Sequence, residues 1–149
     1  SNSSPKFSSL ILESLNKIIL QFYSYKDVKE KFLELNIKNS SEKFWNFIKF
    51  NINIFTDCIE WLNIINSDNI YIIEDKDYLK IAGELLPEEP YNENSWEKWT
   101  DIIKEKTKKQ GKDLYMPLRL ALTGKSKGPE LKFLLPLLTK NQILKKLGF

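Results

Sequence analysis

An all-α fold is what this sequence predicts, and two observations carry the prediction. Apolar residues recur every three or four positions along most of the chain, the period of one buried helix face. The single β-branched and aromatic run, Ile70-Tyr71-Ile72-Ile73, suggests a strand but has no convincing second strand to pair with, so it reads as a buried connector. Pro87-Glu88-Glu89-Pro90, where prolines forbid a helix to continue, marks the expected boundary between two packed helical subdomains, residues 1–86 and 91–149.

Ser1-Asn2-Ser3-Ser4-Pro5 reads as a frayed end or as a cut through a longer protein. Phe7, Leu10, Ile11, Leu15, Ile18, Ile19 and Phe22 then form one apolar face, continued by Val28, Phe32 and Leu35 after a break near Ser24. Asn39-Ser40-Ser41 offers helix caps, and the spacing from Phe44 through Ile48, Ile52, Phe55, Ile59 and Leu62 to Ile65 predicts one helix of about six turns. Tyr78, Leu79, Ala82, Leu85 and Leu86 mark a shorter one. Beyond the proline boundary, Asn94 with Glu97 three residues on is a capping-box variant. Trp96, Trp99, Ile102 and Ile103 follow it on one face, and the helix fails at residues 107–112. Pro117 and Pro129 read as first residues of two further helices, where a missing N–H costs nothing. Pro136 interrupts the second of these, and Thr139 caps a last helix bearing Ile143, Leu144 and Leu147.

Composition narrows the chemistry. With 149 residues and 42% hydrophobic content, including four Trp, six Tyr and nine Phe, the chain can bury a core without staples. Its single cysteine, Cys58, cannot form an internal disulfide, and no apolar run is long enough for a signal or a membrane span, which points to the cytoplasm. Without histidine or a second cysteine the usual metal ligands and the commonest general base are missing, so no metal site is expected and any catalysis would fall to carboxylates or lysines. The Asp75 and Asp77 pair and the Glu88 and Glu89 pair read as solvated surface, and Trp45, Trp61, Trp96 and Trp99 as core.

Charge is distributed unevenly. Residues 1–97 carry ten Lys against sixteen acids, a net −6, whereas residues 98–149 carry twelve Lys and one Arg against four acids, a net +9. The last third is therefore the part that attracts a polyanion. A chain that uses Lys 22 times uses Arg once, so Arg119 stands where a planar fork of donors serves better than a point charge.

Residues 111–138 read GKDLYMPLRLALTGKSKGPELKFLLPLL. Two proline-started helices flank a glycine-bounded basic loop. The start of the second, with its unsatisfied N–H groups, would face outward beside Arg119, Lys125 and Lys127 and suit an anion or a splayed nucleotide. Spacing alone also allows a small core helix ending on a glycine cap, followed by another helix.

This stretch closely resembles the C-terminal motif of bacterial glutamyl-tRNA synthetases, in which a K-G-K-x-L-F/Y-x-P-L-R-x-A-L-T-G run precedes G-P-E-L. The match runs from Gly111 through Leu131 nearly without departure. Upstream, LLPEEPYNENSWEKWTDIIKEKT is similar to the Trp-containing helix of the alphaproteobacterial branch, and the resemblance continues to Phe149; residues 1–78 share only helical character.

The resemblance implies a helix cage holding the unstacked anticodon loop of glutamate tRNA, packed beside the chain's own catalytic domain. ATP and Mg would belong to that absent domain, leaving this piece with no cofactor, monomeric, off the membrane and unable to aminoacylate alone. By motif, Arg119 would contact anticodon bases or phosphate. Gly128, Pro129 and Leu131, with Met116 nearby, would hold the first two bases, while Lys112, Lys125 and Lys127 would neutralise phosphates. One departure stands out. Discriminating members read the last anticodon base with an arginine in the first subdomain, and residues 1–97 contain none; Lys43 or Lys49 would have to substitute. A parent enzyme that also glutamylates glutamine tRNA is the expectation. The competing reading is a free-standing basic helical adaptor that binds RNA or acidic protein without reading an anticodon; a membrane-surface helix pair fits less well with such short, proline-broken helices.

Overall fold

The computed structural model describes residues 17–149 apart from 38, 39 and 69. All regular structure among the described residues is helical: nine α-helices and one 3₁₀ turn. The chain divides into two compact units, Ser1–Asn66 and Ser67–Phe149. The apolar positions Phe7, Leu10, Ile11 and Leu15, and the opening Ser1–Pro5, lie outside the described residues.

The first unit contains α1 (Lys17–Phe22), α2 (Tyr25–Glu34), α3 (Glu42–Ile48) and α4 (Asp57–Asn66). Ser24 starts α2 with a reciprocal cap: its backbone N–H donates to the Asp27 carboxylate at 2.8 Å, and Asp27 N–H donates back to Ser24 Oγ at 3.3 Å. Those bonds hold the Asp27 carboxyl below its usual range. Ser41, from the predicted cap cluster, accepts from Phe44 N–H and opens α3.

Phe32 is the centre of the core, with the rings of Phe55, Trp45 and Phe44 at 5.1, 6.1 and 6.5 Å. Trp45 Nε1 donates to the Tyr23 carbonyl at 2.8 Å, so its one polar atom is satisfied inside.

Two expectations need correction here. The six-turn helix is two helices, because the Asp57 carboxylate accepts the N–H groups of Asn53 and Ile54 at 3.0 and 3.2 Å and fixes a turn before α4. Ile52 and Phe55 within that turn are nonetheless buried, so the spacing read the core correctly and the backbone wrongly. In α1 the buried residue is Leu20, while Ile18, Ile19 and Phe22 are exposed; Leu35, at the end of α2, is 36% exposed.

The second unit contains α5 (Lys76–Glu84), α6 (Ser95–Thr107), α7 (Gly111–Thr123), α8 (Leu131–Leu134), a 3₁₀ turn (Leu135–Leu137) and α9 (Lys140–Lys146). Helix α6 packs against α5, α7, α8 and the 3₁₀ turn, which makes it the axis of the unit. Trp99 on α6 is wholly buried and donates from Nε1 to the Ala82 carbonyl at 2.9 Å. Tyr78 on α5 donates to the Leu114 carbonyl at 2.6 Å. Both bonds span the Pro87–Pro90 segment, so that segment lies inside this unit rather than at its edge.

Three carboxylates of the acidic pairs are tied down, and Asp77 is exposed. Asp75 caps α5 by accepting from Tyr78 N–H at 3.2 Å and pairs with Lys109 at 3.0 Å, which lowers its carboxyl pKa. Glu89 accepts from Lys140 N–H at 2.8 Å, and Glu88 meets the Lys140 ammonium, fastening the proline segment to the start of α9. Thr139 and Gln142 form the predicted cap of that helix. Asn94 makes no side-chain cap; instead Ser95 Oγ accepts from Asn92 N–H at 2.8 Å. The Ile70–Ile73 segment is a connector but not a buried one: Ile72 is 95% exposed and Ile70 62%.

Candidate nucleic-acid interface

Helix α7 begins at Gly111, one helical turn and more before the proline expected to start it, and Pro117 lies inside. An interior proline removes one backbone bond and spreads the preceding turn. The Leu114 carbonyl in that turn takes the Tyr78 hydroxyl, and this anchors the otherwise weakened stretch against α5. Lys112, Tyr115, Met116 and Arg119 follow one another at helical spacing along the same side of α7.

The helix ends on Gly124 at φ +70°, a left-handed cap whose N–H donates to the Leu120 carbonyl at 2.8 Å. A side chain there would meet the Tyr71 ring, since an added Cβ would lie 2.4 Å from its nearest atom. Thr123 Oγ1, buried beside it, contacts the Arg119 carbonyl at 2.8 Å and accepts from Lys125 N–H at 3.0 Å. The turn into the basic loop is thus fixed from both sides.

The loop returns through Gly128 at φ +153° to Pro129, which is buried, and Glu130, which precedes α8. Arg119 Nη1 donates to the Pro129 carbonyl at 3.1 Å and so locks the loop's far end to α7. Helix α8 has four residues and Pro129 lies before its cap, so the expected proline-started helix is too short to present a strong dipole to an anion. Positive charge at this corner comes from side chains.

Trp96, Tyr115, Arg119, Glu130, Leu131 and Lys132 line an open cleft of about 200 Å³. Burial lowers the Arg119 pKa, yet an arginine stays protonated at neutral pH. Lys132 pairs with Glu130 at 3.4 Å and lies 4.8 Å from the Phe133 ring centre, leaving the cleft with two cations and one carboxylate.

Of the residues singled out from sequence, Arg119 and Leu131 therefore share the cleft, and Pro129 joins through its carbonyl. Gly128 is exposed on the adjoining loop and Met116 is half-buried on α7; neither lines the cleft. Lys112 and Lys127 are exposed and Lys125 half-buried, all outside it. Sequence reasoning missed Trp96 and Tyr115 and placed Trp96 in the core with the other three tryptophans. Trp45, Trp61 and Trp99 are buried, whereas Trp96 is half-exposed and Tyr115 is 45% exposed. Spacing within α6 carried no signal, because Trp96 at i, with Trp99 at i+3 and Ile103 at i+7, lies on the same helical face as the buried pair. Among the described residues no histidine, cysteine or carboxylate cluster is grouped to hold a metal, and no helix is long and apolar enough to cross a membrane. Cys58, buried with its thiol pushed up to about 12 by desolvation, is a packing residue.

Residues 26–148 match the family described as an anticodon binding domain. The chain is 41% identical to glutamate–tRNA ligase 1 of Ehrlichia ruminantium (strain Gardel), over 91% of this chain and 30% of that protein. It is 42% identical to glutamate–tRNA ligase 2 of Bartonella bacilliformis, over 99% of this chain and 33% of the relative. A third relative, glutamate–tRNA ligase 1 of Parvibaculum lavamentivorans, is 38% identical over 96% of this chain and 32% of its own length. The chain thus spans about a third of the length of these relatives.

Proposed function

Since the chain belongs to the anticodon binding domain family, we propose that it holds the unstacked anticodon loop of glutamate tRNA for a glutamate–tRNA ligase. Its catalytic domain, with ATP and Mg, would lie outside these 149 residues, and the charging of tRNA would take place in the cytoplasm. The observation that carries this reading is the union of Arg119, Pro129 and Leu131 at one cleft, in a third of the chain with a net charge of +9. A guanidinium already anchored on Pro129 is held in place for hydrogen bonding to an unpaired base, the contact by which proteins read single-stranded RNA in sequence, or to its phosphate. Gly128 and Met116 border the same loop and helix. Lys112, Lys125 and Lys127 surround it with charge that lowers the energy of any nearby phosphate without naming a base.

The test is binding of the chain to glutamate tRNA, and to that tRNA with anticodon bases exchanged, at two salt concentrations. Arg119→Ala and exchange of either of the first two anticodon bases are expected to weaken binding by about 1–3 kcal/mol, while Lys127→Ala mainly reduces the salt slope. Equal binding of every RNA, with salt the one variable that matters, would instead identify a general polyanion surface on a helical adaptor.

The absence of arginine before residue 98 supports a finer reading. Lys49, one of the two lysines placed to substitute, is directed at the Tyr23 carbonyl at 3.5 Å and lies 5.4 Å from the Phe50 ring centre. A lysine also lacks the two-pronged donor geometry of arginine. The longer enzyme is accordingly expected to glutamylate glutamine tRNA as well as glutamate tRNA, and its clean rejection of glutamine tRNA in a charging assay would refute this.

A further inference from the structure

We infer that Trp96 and Tyr115 form a stacking platform on which one unpaired RNA base rests within the Arg119 cleft, an inference that builds on the anticodon reading above. The two rings come from different helices, α6 and α7, and lie 6.3 Å apart at 36°. Trp96 is braced from behind by the buried Trp99, edge-on at 5.7 Å and 79°. Because Trp99 is wholly buried and fixed to the Ala82 carbonyl, the platform rests on the packed core of the unit.

Trp96 is half-buried and Tyr115 45% exposed beside an arginine, outside a core already closed by Trp99, Ile103, Leu114 and Leu118. The arrangement has a recognition rationale, because any base offers a flat face to an aromatic ring whatever its hydrogen-bonding edge. A cleft of about 200 Å³ is below the usual size of sites for whole cofactors and suits a single inserted base. Leu131 closes the cleft on its apolar side, and the Arg119 guanidinium borders the place where a stacked base would present its polar edge. Trp96 and Tyr115 therefore supply grip, and Arg119 with the loop backbone supplies identity.

Tryptophan emission reports on this directly, since Trp45, Trp61 and Trp99 are buried and Trp96 is the half-exposed one. The full 149-residue chain is titrated with an anticodon stem–loop of glutamate tRNA, and with hairpins in which one anticodon base at a time is replaced by an abasic ribose. Binding is expected to quench emission in the unaltered chain, one abasic position to abolish that quench, and Trp96→Phe to remove the quench while keeping most of the affinity. Trp96→Ala and Tyr115→Ala are each expected to weaken binding about 5- to 150-fold. Tyr115 is exposed enough that its replacement leaves the fold intact, which keeps the test decisive should Trp96→Ala unfold.

If the hairpin binds and Arg119→Ala weakens it, but emission stays constant and both alanine variants bind normally, the platform is refuted and the anticodon reading survives. If the hairpin binds no better than one with a scrambled loop, the anticodon reading fails and the platform with it.

Discussion

Trp99→Ala is expected to remove about 3–5 kcal/mol from the stability of the second unit, the range for deleting a large aromatic side chain from a core. Trp99 is wholly enclosed on α6, the helix that packs against α5, α7, α8 and the 3₁₀ turn. The truncation leaves a cavity and also strands the Ala82 carbonyl, which now accepts the indole N–H at 2.9 Å. Domains are commonly stable by only about 5–15 kcal/mol, so this one change should carry the unit close to unfolding at body temperature. Urea unfolding followed by circular dichroism measures it, and a loss below about 2 kcal/mol would contradict the packing described. Trp99→Phe, which keeps much of the volume but not the N–H, should fall between the two.

Tyr78→Phe should produce a deficit that depends on pH in a particular direction. Burial, with Asp75 adding to it, pushes the Tyr78 phenol well above its ordinary 10. Between pH 10 and that raised value the unfolded chain has released the proton and the folded chain has kept it. The unfolded state then binds fewer protons, so stability falls as pH rises, by up to about 1.4 kcal/mol per unit for this group.

The phenylalanine variant has no such proton. It should be less stable than the parent near pH 8, having lost the 2.6 Å bond to the Leu114 carbonyl, and the gap should close above pH 10. Tyr91, raised to about 12 by burial, titrates equally in both proteins and cancels from the difference. Parallel stability curves across pH 8–11 would show that the Tyr78 hydroxyl is not enclosed as described.

Helical class and most core positions were legible because the three-to-four spacing records which side of a segment is buried. The break between α3 and α4 was not legible, since Ile52 and Phe55 keep the helical rhythm while the Asp57 carboxylate captures the backbone of Asn53 and Ile54. Pro117 misled in the opposite sense. Proline is favoured at the first position of a helix, but here the helix runs through Pro117, and Tyr78, 39 positions away in sequence, anchors the turn before it through the Leu114 carbonyl. The unit boundary was misplaced for a related reason, because the bonds from Tyr78 and Trp99 cross the proline segment and no local pattern records them.

At the cleft, family resemblance supplied Arg119, Pro129 and Leu131, which the fold gathers together. It did not supply Trp96 or Tyr115, whose half-exposure depends on where α6 and α7 meet and not on spacing within either helix.

The turn at Gly124 has a consequence for the thermodynamics of association. Loops that recognise RNA often settle only on contact, and the ordering of each freed side chain and backbone segment then subtracts from affinity. Here the Tyr71 ring beneath Gly124, the Thr123 hydroxyl and the Arg119–Pro129 bond hold both ends of the basic loop from within the chain. Tethering of this kind lowers the ordering cost of any contact the loop makes, so that more of the contact energy is left for selectivity.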